Sequence, residues 1–474
     1  MSPESSPNLL TSSSQISPTP VTSIRSQSWP LDERHEQEGN GADSREGKGP
    51  SGKSSPRRMV VAALSNAILQ FGINLYHARQ SHRAAPASDP QHAHHHPQNV
   101  VFSPYLIAST LQLMQSGARG ETAAQISRLL QWPVQAGVDK QEQVEQVVRY
   151  FEHRDKRLLP DGRHDCYQKA GFTIQYDCCL HRDRRVTLKE EFQARHLRPS
   201  TADWVRWKIE AQLKEAVPLL GKSVNFEALP RGTVEENTSL VLLSAVGIKG
   251  RWRRRFDPIN VGEGFFYEPV LVDAVDGQPT EECKPRGVTM MHRTGNFRMA
   301  DSAELEATAL ELPYKSGARC LVIFLPQKRD GLATLEARMT AANLAQCLRR
   351  MKRRTDVDLT LPKLYVRDTM DLAAALSSMG ADALFRRGAA DLSGMCGSEG
   401  AFVSVAKHAA AYRTSWKGRV SRSATLPPAP EHEKFTVDRP FLFLVLSRRP
   451  NAVLLLGSVR SVRPHFCEEL LPSP

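Results

Sequence analysis

Residues 239–248 constrain this chain more than any other stretch, because Leu240, Val241, Leu242, Leu243 and Val246 follow one another with hardly a polar break. A strand with one wet face alternates apolar and polar side chains, so a continuous apolar run marks a strand covered on both faces. A central sheet with layers on either side is therefore required. Shorter apolar runs at 288–298, 307–312, 320–325, 356–362, 402–412, 441–446 and 452–459 predict further strands. Helices over 332–351 and 371–379 interrupt them, and another is expected over 204–219.

The first third reads differently. Val61, Leu64, Ile68, Phe71 and Leu75 recur at three- and four-residue steps, which predicts an amphipathic packing helix rather than the uniformly apolar core of a secretory leader. Residues 79–98 read as a linker. A strand end, a helix, a turn over Gly117 to Gly120 and a second helix opened by Glu121 and Thr122 fill 99–132. Helices early and strands late describe a large α+β domain rather than repeated βαβ units. Residues 1–58 are rich in Ser, Pro, Gly and charge and are expected to form a disordered polar tail. The domain is expected over 59–464, with a short tail at 465–474.

Net charge and motifs narrow the chemistry. The 474 residues carry a formal charge of +12 at pH 7, which favours polyanionic partners without naming one. Two basic runs, Arg251 with Arg253, Arg254 and Arg255, and Arg349 with Arg350, Lys352, Arg353 and Arg354, read either as solvated faces or as a site for a sulfated glycan. No run of eighteen apolar residues is present, so no membrane partner is expected, and no nucleic acid is expected. Eight cysteines without a C-x-x-C pair read as unpaired thiols. His92, His94, His95 and His96 lie beside Pro97 in the linker, without the rigid support that a metal site needs, so no metal or cofactor is expected. No G-x-S-x-G is present, and enzyme activity is not expected. Asn237-Thr238-Ser239 is a glycosylation sequon.

Several segments share one order. N-V-V-F-S-P-Y-L-I-A-S-T-L from Asn99 is followed by G-A-R-G-E-T-A-A-Q-I from Gly117 and by L-V-L-L-S-A-V-G-I-K-G-R-W from Leu240. M-M-H, L-E-L-P-Y, V-I-F-L-P and the closing F-T-V-D-R-P-F-L-F from Phe435 come next. In sequence and spacing these resemble the serpin family of serine protease inhibitors. The resemblance implies a serpin fold with a large, mostly antiparallel central sheet, two further sheets, about nine helices and an exposed reactive loop. It further implies an extracellular monomer, with a cytoplasmic location the alternative since no secretory leader is evident, and a loop that is bait for a serine or cysteine protease. After cleavage the loop enters the central sheet as an extra strand.

The same resemblance assigns the loop residue by residue. Aligning Val403 to His408 and counting on places Gly418 at the hinge glycine, so Trp416 and Lys417 stand where the family commonly has acidic residues. Arg419, Val420, Ser421, Arg422 and Ser423 follow it, where small residues are usual. Side chains alternate along a strand, so Arg419, Ser421, Ser423 and Thr425 are expected to face the core on insertion, Arg422 away from it. Leu426, Pro427, Pro428 and Ala429 form the candidate scissile region. Ser103, Ser244, His408 and Trp252 take the sheet-opening positions, for which ordinary core packing is the alternative reading. Leu106 and Ser244 replace the family's Ser and Asn, which is expected to remove hydrogen-bond partners there.

Overall fold

The computed structural model describes residues 56–84, 98–133, 147, 167–169, 171–183, 185–192, 217, 219, 238–273, 279–415, 432–448 and 451–462. The apolar run at 240 becomes β4 (Leu240–Arg251), and it sits in the middle of a five-stranded sheet. Its neighbours on one side are β3 (Phe172–Arg182) and β2 (Tyr167–Lys169). On the other side lie β11 (Val403–Ser415) and then β10 (Tyr365–Asp371). All neighbouring pairs are antiparallel except β4 with β11, which run parallel. The sequence run lacks alternation because both faces of β4 are buried, from Leu240 at 0 % exposure to Ile248 at 1 %.

The remaining nine strands form one sheet, eight of them along a single hydrogen-bonded path. It starts at β1 (Val100–Phe102) and passes through β14 (Asn451–Val459), β13 (Phe441–Arg448), β8 (Arg319–Pro326) and β7 (Ala307–Pro313). It continues through β6 (Pro279–Ser302) and β9 (Lys352–Pro362) to β12 (Glu433–Thr436), while β5 (Val261–Asp273) pairs with β6 off this path. Two further sheets were expected. They are joined because β6 runs unbroken for 24 residues, pairing with β5, β9 and β7 in turn.

Helices cover the sheets. In α1 (Pro56–Ala84) the striped residues Leu64, Ile68, Phe71 and Leu75 are all buried. The helix extends past Arg79, so the linker expected to begin there starts later, and Arg79 is tied down by Asp368. Ser103 caps α2 (Pro104–Gly117) by accepting the Leu106 N–H, and Pro104 adds a fixed φ where no N–H is needed. The second helix, α3 (Gly120–Leu130), follows the glycine turn. The single helix expected over 332–351 is two, α4 (Leu332–Ala337) and α5 (Ala341–Arg350), because the Thr340 hydroxyl accepts the Asn343 N–H and restarts the helix. Asp371 caps α6 (Leu372–Ser378) in the same way. The helix expected over 204–219 lies almost wholly outside the described residues. The six cysteines in the described residues form no disulfide with one another.

Candidate functional site

The parallel junction of β4 and β11 runs from Val403 opposite Leu240 to Ser415 opposite Arg251, with one bulge at Ser404. Chain direction gives this seam its chemistry. A segment that turned back directly after Ser415 and entered the seam would run antiparallel to both neighbours, replacing one parallel pairing by two antiparallel ones. Beyond Ser415 lie the hinge positions Trp416, Lys417, Gly418, Arg419, Val420, Ser421, Arg422 and Ser423 and the scissile candidates Leu426, Pro427, Pro428 and Ala429. All are outside the described residues.

Half-way along the seam the structure brings together Ser103, Ser244 and His408. His408 stands opposite Ser244 in the ladder, and both are buried, at 1 % and 2 % exposure. The Ser103 backbone N–H donates to His408 Nε2 at 3.1 Å, which requires that nitrogen to be unprotonated. Nδ1 therefore carries the hydrogen and donates it to Ser244 Oγ at 2.7 Å. Ser244 was expected to lose a partner here; its hydroxyl reaches the imidazole instead. Leu106 contributes backbone alone: its N–H donates to Ser103 and its carbonyl accepts the Thr110 hydroxyl.

Arg79 was not expected at this site. It donates to the Asp368 carboxylate at 2.5 Å, and the same carboxylate accepts the Val101 N–H. Burial, and then the positive charge of Arg79, push the His408 pKa down to about 3. No local sequence pattern could reveal this pairing, since Arg79 and Asp368 are 289 residues apart.

Trp252 does not join that group. It lies just past the C-terminal end of β4, about 26 Å from Ser244 at 3.3 Å per residue, stacked on Tyr314 with ring centroids 4.9 Å apart. The Tyr314 hydroxyl meets that of Tyr412 on β11 at 2.7 Å, so this aromatic layer spans the end of the seam. Gly250 lets the ring approach, because a Cβ there would fall 2.3 Å from Tyr314.

The outer face of the seam is strapped. A Cβ on Gly247 would sit 2.6 Å from Leu219, which crosses over the strand. The Leu219 N–H donates to Gln175 on β3 at 2.9 Å, and its carbonyl accepts from the Tyr365 hydroxyl at the start of β10 at 3.0 Å. Those strands flank the β11–β4 pair, so separating the pair works against the strap.

Where the loop returns, His432 donates from Nδ1 to the Asp356 carbonyl at 2.9 Å, and Arg354 bridges Asp301 and Glu433. The two basic runs differ in their use. Arg350 pairs with Glu304, and Arg354 is engaged as described, whereas Arg251, Arg253, Arg254 and Arg255 project into solvent without an ion pair to a described carboxylate. Among the described residues no group of three metal-ligating side chains occurs.

Residues 87–462 match the family model described as serpin (serine protease inhibitor). The chain is a serpin. It is similar to Iris of Ixodes ricinus, 31% identical over 85% of this chain and the whole of that protein. Human Serpin B3 is 28% identical over 77% of this chain and 93% of its own length. In fold it resembles uncleaved ovalbumin, with a TM-score of 0.64 at 22% identity, covering 84% of this serpin and all of that chain. Serpins act as inhibitors rather than catalysts, so this serpin is not an enzyme.

Proposed function

We propose that this serpin presents the segment between Ser415 and His432 to a serine or cysteine protease as bait, and that its capacity to trap the protease is impaired or absent. The observation supporting the first half is the direct β4–β11 pairing, an unfilled slot with the strand polarity that a reversed loop needs. The second half rests on the hinge sequence. Arg419 occupies the first position expected to turn inward, and burying an unpaired guanidinium costs on the order of several kcal/mol. Pro427, Pro428 and Pro430 supply no N–H to a ladder, so insertion stalls near Leu426.

Incubation with trypsin-like, chymotrypsin-like and papain-like proteases tests this. The expected product is clean cleavage within 419–429, with little covalent complex surviving denaturation. Complete conversion of one protease to such a complex refutes impairment. Arg419→Thr is expected to raise the trapped fraction, because it removes the buried charge and keeps a strand-compatible side chain.

The same hinge supports a second reading, a non-inhibitory serpin serving as a binding or carrier module. It predicts that no protease is trapped even by the Arg419→Thr variant. Family membership supports an extracellular, monomeric glycoprotein carrying its glycan on Asn237, and the excess of positive charge supports a sulfated glycan as an additional ligand. Secretion with a mass shift on deglycosylation, and retention on a sulfated resin, measure these.

A further inference from the structure

Among the described residues two large apolar side chains stand exposed, Ile259 at 65 % and Phe265 at 62 %. Both follow closely after the arginine run at the end of β4. Ile259 belongs to a 3-10 turn, Pro258–Asn260, fixed by the Asp257 carboxylate accepting its N–H. Phe265 projects from β5 opposite Gly287, a residue with no side chain to cover it.

The arginines are held on a fixed backbone. The Arg251 N–H donates to Gly171 and its carbonyl accepts from Lys315, while the Arg253 N–H donates to Pro313. The Arg254 carbonyl accepts from Arg293, whose guanidinium stacks on Phe256 and Phe297. Four exposed guanidiniums thus leave one short stretch of chain, with Asp257 committed to the turn. The charge of two of them reaches neighbouring arginines. Burial first, and then Arg254, push the Arg293 pKa down to about 10; burial, then Arg298 and Arg253, do the same to Arg448.

A polyanion such as a sulfated chain would use the arginines and gain nothing from Ile259 or Phe265. Arginine beside exposed aromatic and aliphatic groups is instead the composition of a protein-binding surface. Its position relates it to the loop. Arg251 stands opposite Ser415, from which the loop departs. The loop returns at β12, and the order β5-β6-β9-β12 puts β5 three strand spacings to the side, about 14 Å; Phe265, opposite Gly287, also lies five residues along β6 from His292, the row of Thr436, so the separation is about 22 Å. A protein–protein contact covers roughly 800 Å² on each partner, so a body seated on the loop reaches this surface.

We propose that the β4–β5 connection is a second docking surface for the protease that engages the loop, with Arg251, Arg253, Arg254 and Arg255 meeting carboxylates of an acidic-surfaced enzyme and Ile259 and Phe265 entering an apolar spot on it. This rests on the reading of the loop as bait. Long-range attraction acts on association, so the surface selects among proteases of one cleavage specificity by their charge.

Binding of full-length protein to proteases inactivated at the catalytic serine tests the surface separately from trapping. One probe is a trypsin-like enzyme of acidic surface, the other a trypsin-like enzyme of basic surface. Three variants are compared with the parent: Arg253→Glu with Arg254→Glu, Ile259→Ser with Phe265→Ser, and a loop variant with 418–431 replaced by Gly and Ser. The expected result is preference for the acidic enzyme and about a tenfold slower association for the arginine variant, shrinking as salt rises. The apolar variant is expected to dissociate faster. Residual acidic-enzyme binding by the loop variant, absent from the arginine variant, upholds the surface even if the bait reading fails. Equal binding by the parent and both surface variants, or no binding of the acidic enzyme, overturns the surface. So does arginine-dependent retention on heparin or nucleic acid without preference for the acidic enzyme. Trapping by active protease decides the bait reading independently.

Discussion

At the scale of single residues, His408 is the group whose chemistry is most tightly prescribed. Folded, it stays neutral down to about pH 3, whereas in the unfolded chain it protonates near its ordinary value, about 6.5. Its contribution to stability is therefore fully present above about pH 6.5 and is lost progressively as pH falls toward 3. The slope expected from this one group is at most about 1.4 kcal/mol per pH unit. Denaturant midpoints between pH 7 and 4 should fall more steeply in the parent than in His408→Gln, which has no group to titrate; parallel profiles would remove His408 from the account. The sequence pointed to Ser103, Ser244 and His408 as neighbours only through resemblance. Their contacts cross separations of 305 and 164 residues, and no periodicity encodes that. Arg79 was read as the start of a linker for the same reason: nothing near it in sequence shows that Asp368 is brought beside it.

At the scale of elements, legibility followed burial. Strands covered on both faces, such as β4, β8 and β13, were plain as apolar runs, because burial on both faces admits few polar residues, and those, like Ser244, need a partner. β5 and β10 were not predicted. β5 carries Gly262, Gly264, Glu263 and an exposed Phe265, and β10 mixes Arg367, Asp368 and Thr369 among apolar residues. Both take their extended form from a ladder partner more than from their own composition. The break between α4 and α5 was legible in principle, since Thr340 preceding a helical stretch is a capping signal, but continuity of the apolar pattern hid it. The strap at Leu219 gives an element-level prediction. Tyr365→Phe deletes one hydrogen bond, worth about 1 kcal/mol, and should speed amide exchange along β4 and β11 while leaving β13 and β14 unchanged. Uniform acceleration in both sheets would mean that the strap has no particular hold on the seam.

At the scale of the whole molecule, the prediction concerns what cleavage does to stability. A nicked loop that enters the seam adds two antiparallel ladders to the central sheet, whereas one held out by Arg419 and the prolines adds none. Nicked and intact protein are therefore expected to melt within a few degrees of each other, and the Arg419→Thr variant should gain more on nicking than the parent. A large rise in the parent sinks the impairment reading. The unbroken β6 carries a different consequence. Because it is laddered to β9 and, further along, to β7, a pull applied where the chain rejoins the body at β12 meets no flexible joint before the far strands of the nine-stranded sheet. Tension along these strands loads many hydrogen bonds at once instead of peeling them singly. A tethered cargo could tug hard at that end while the parallel seam, in the other sheet, stayed free to yield.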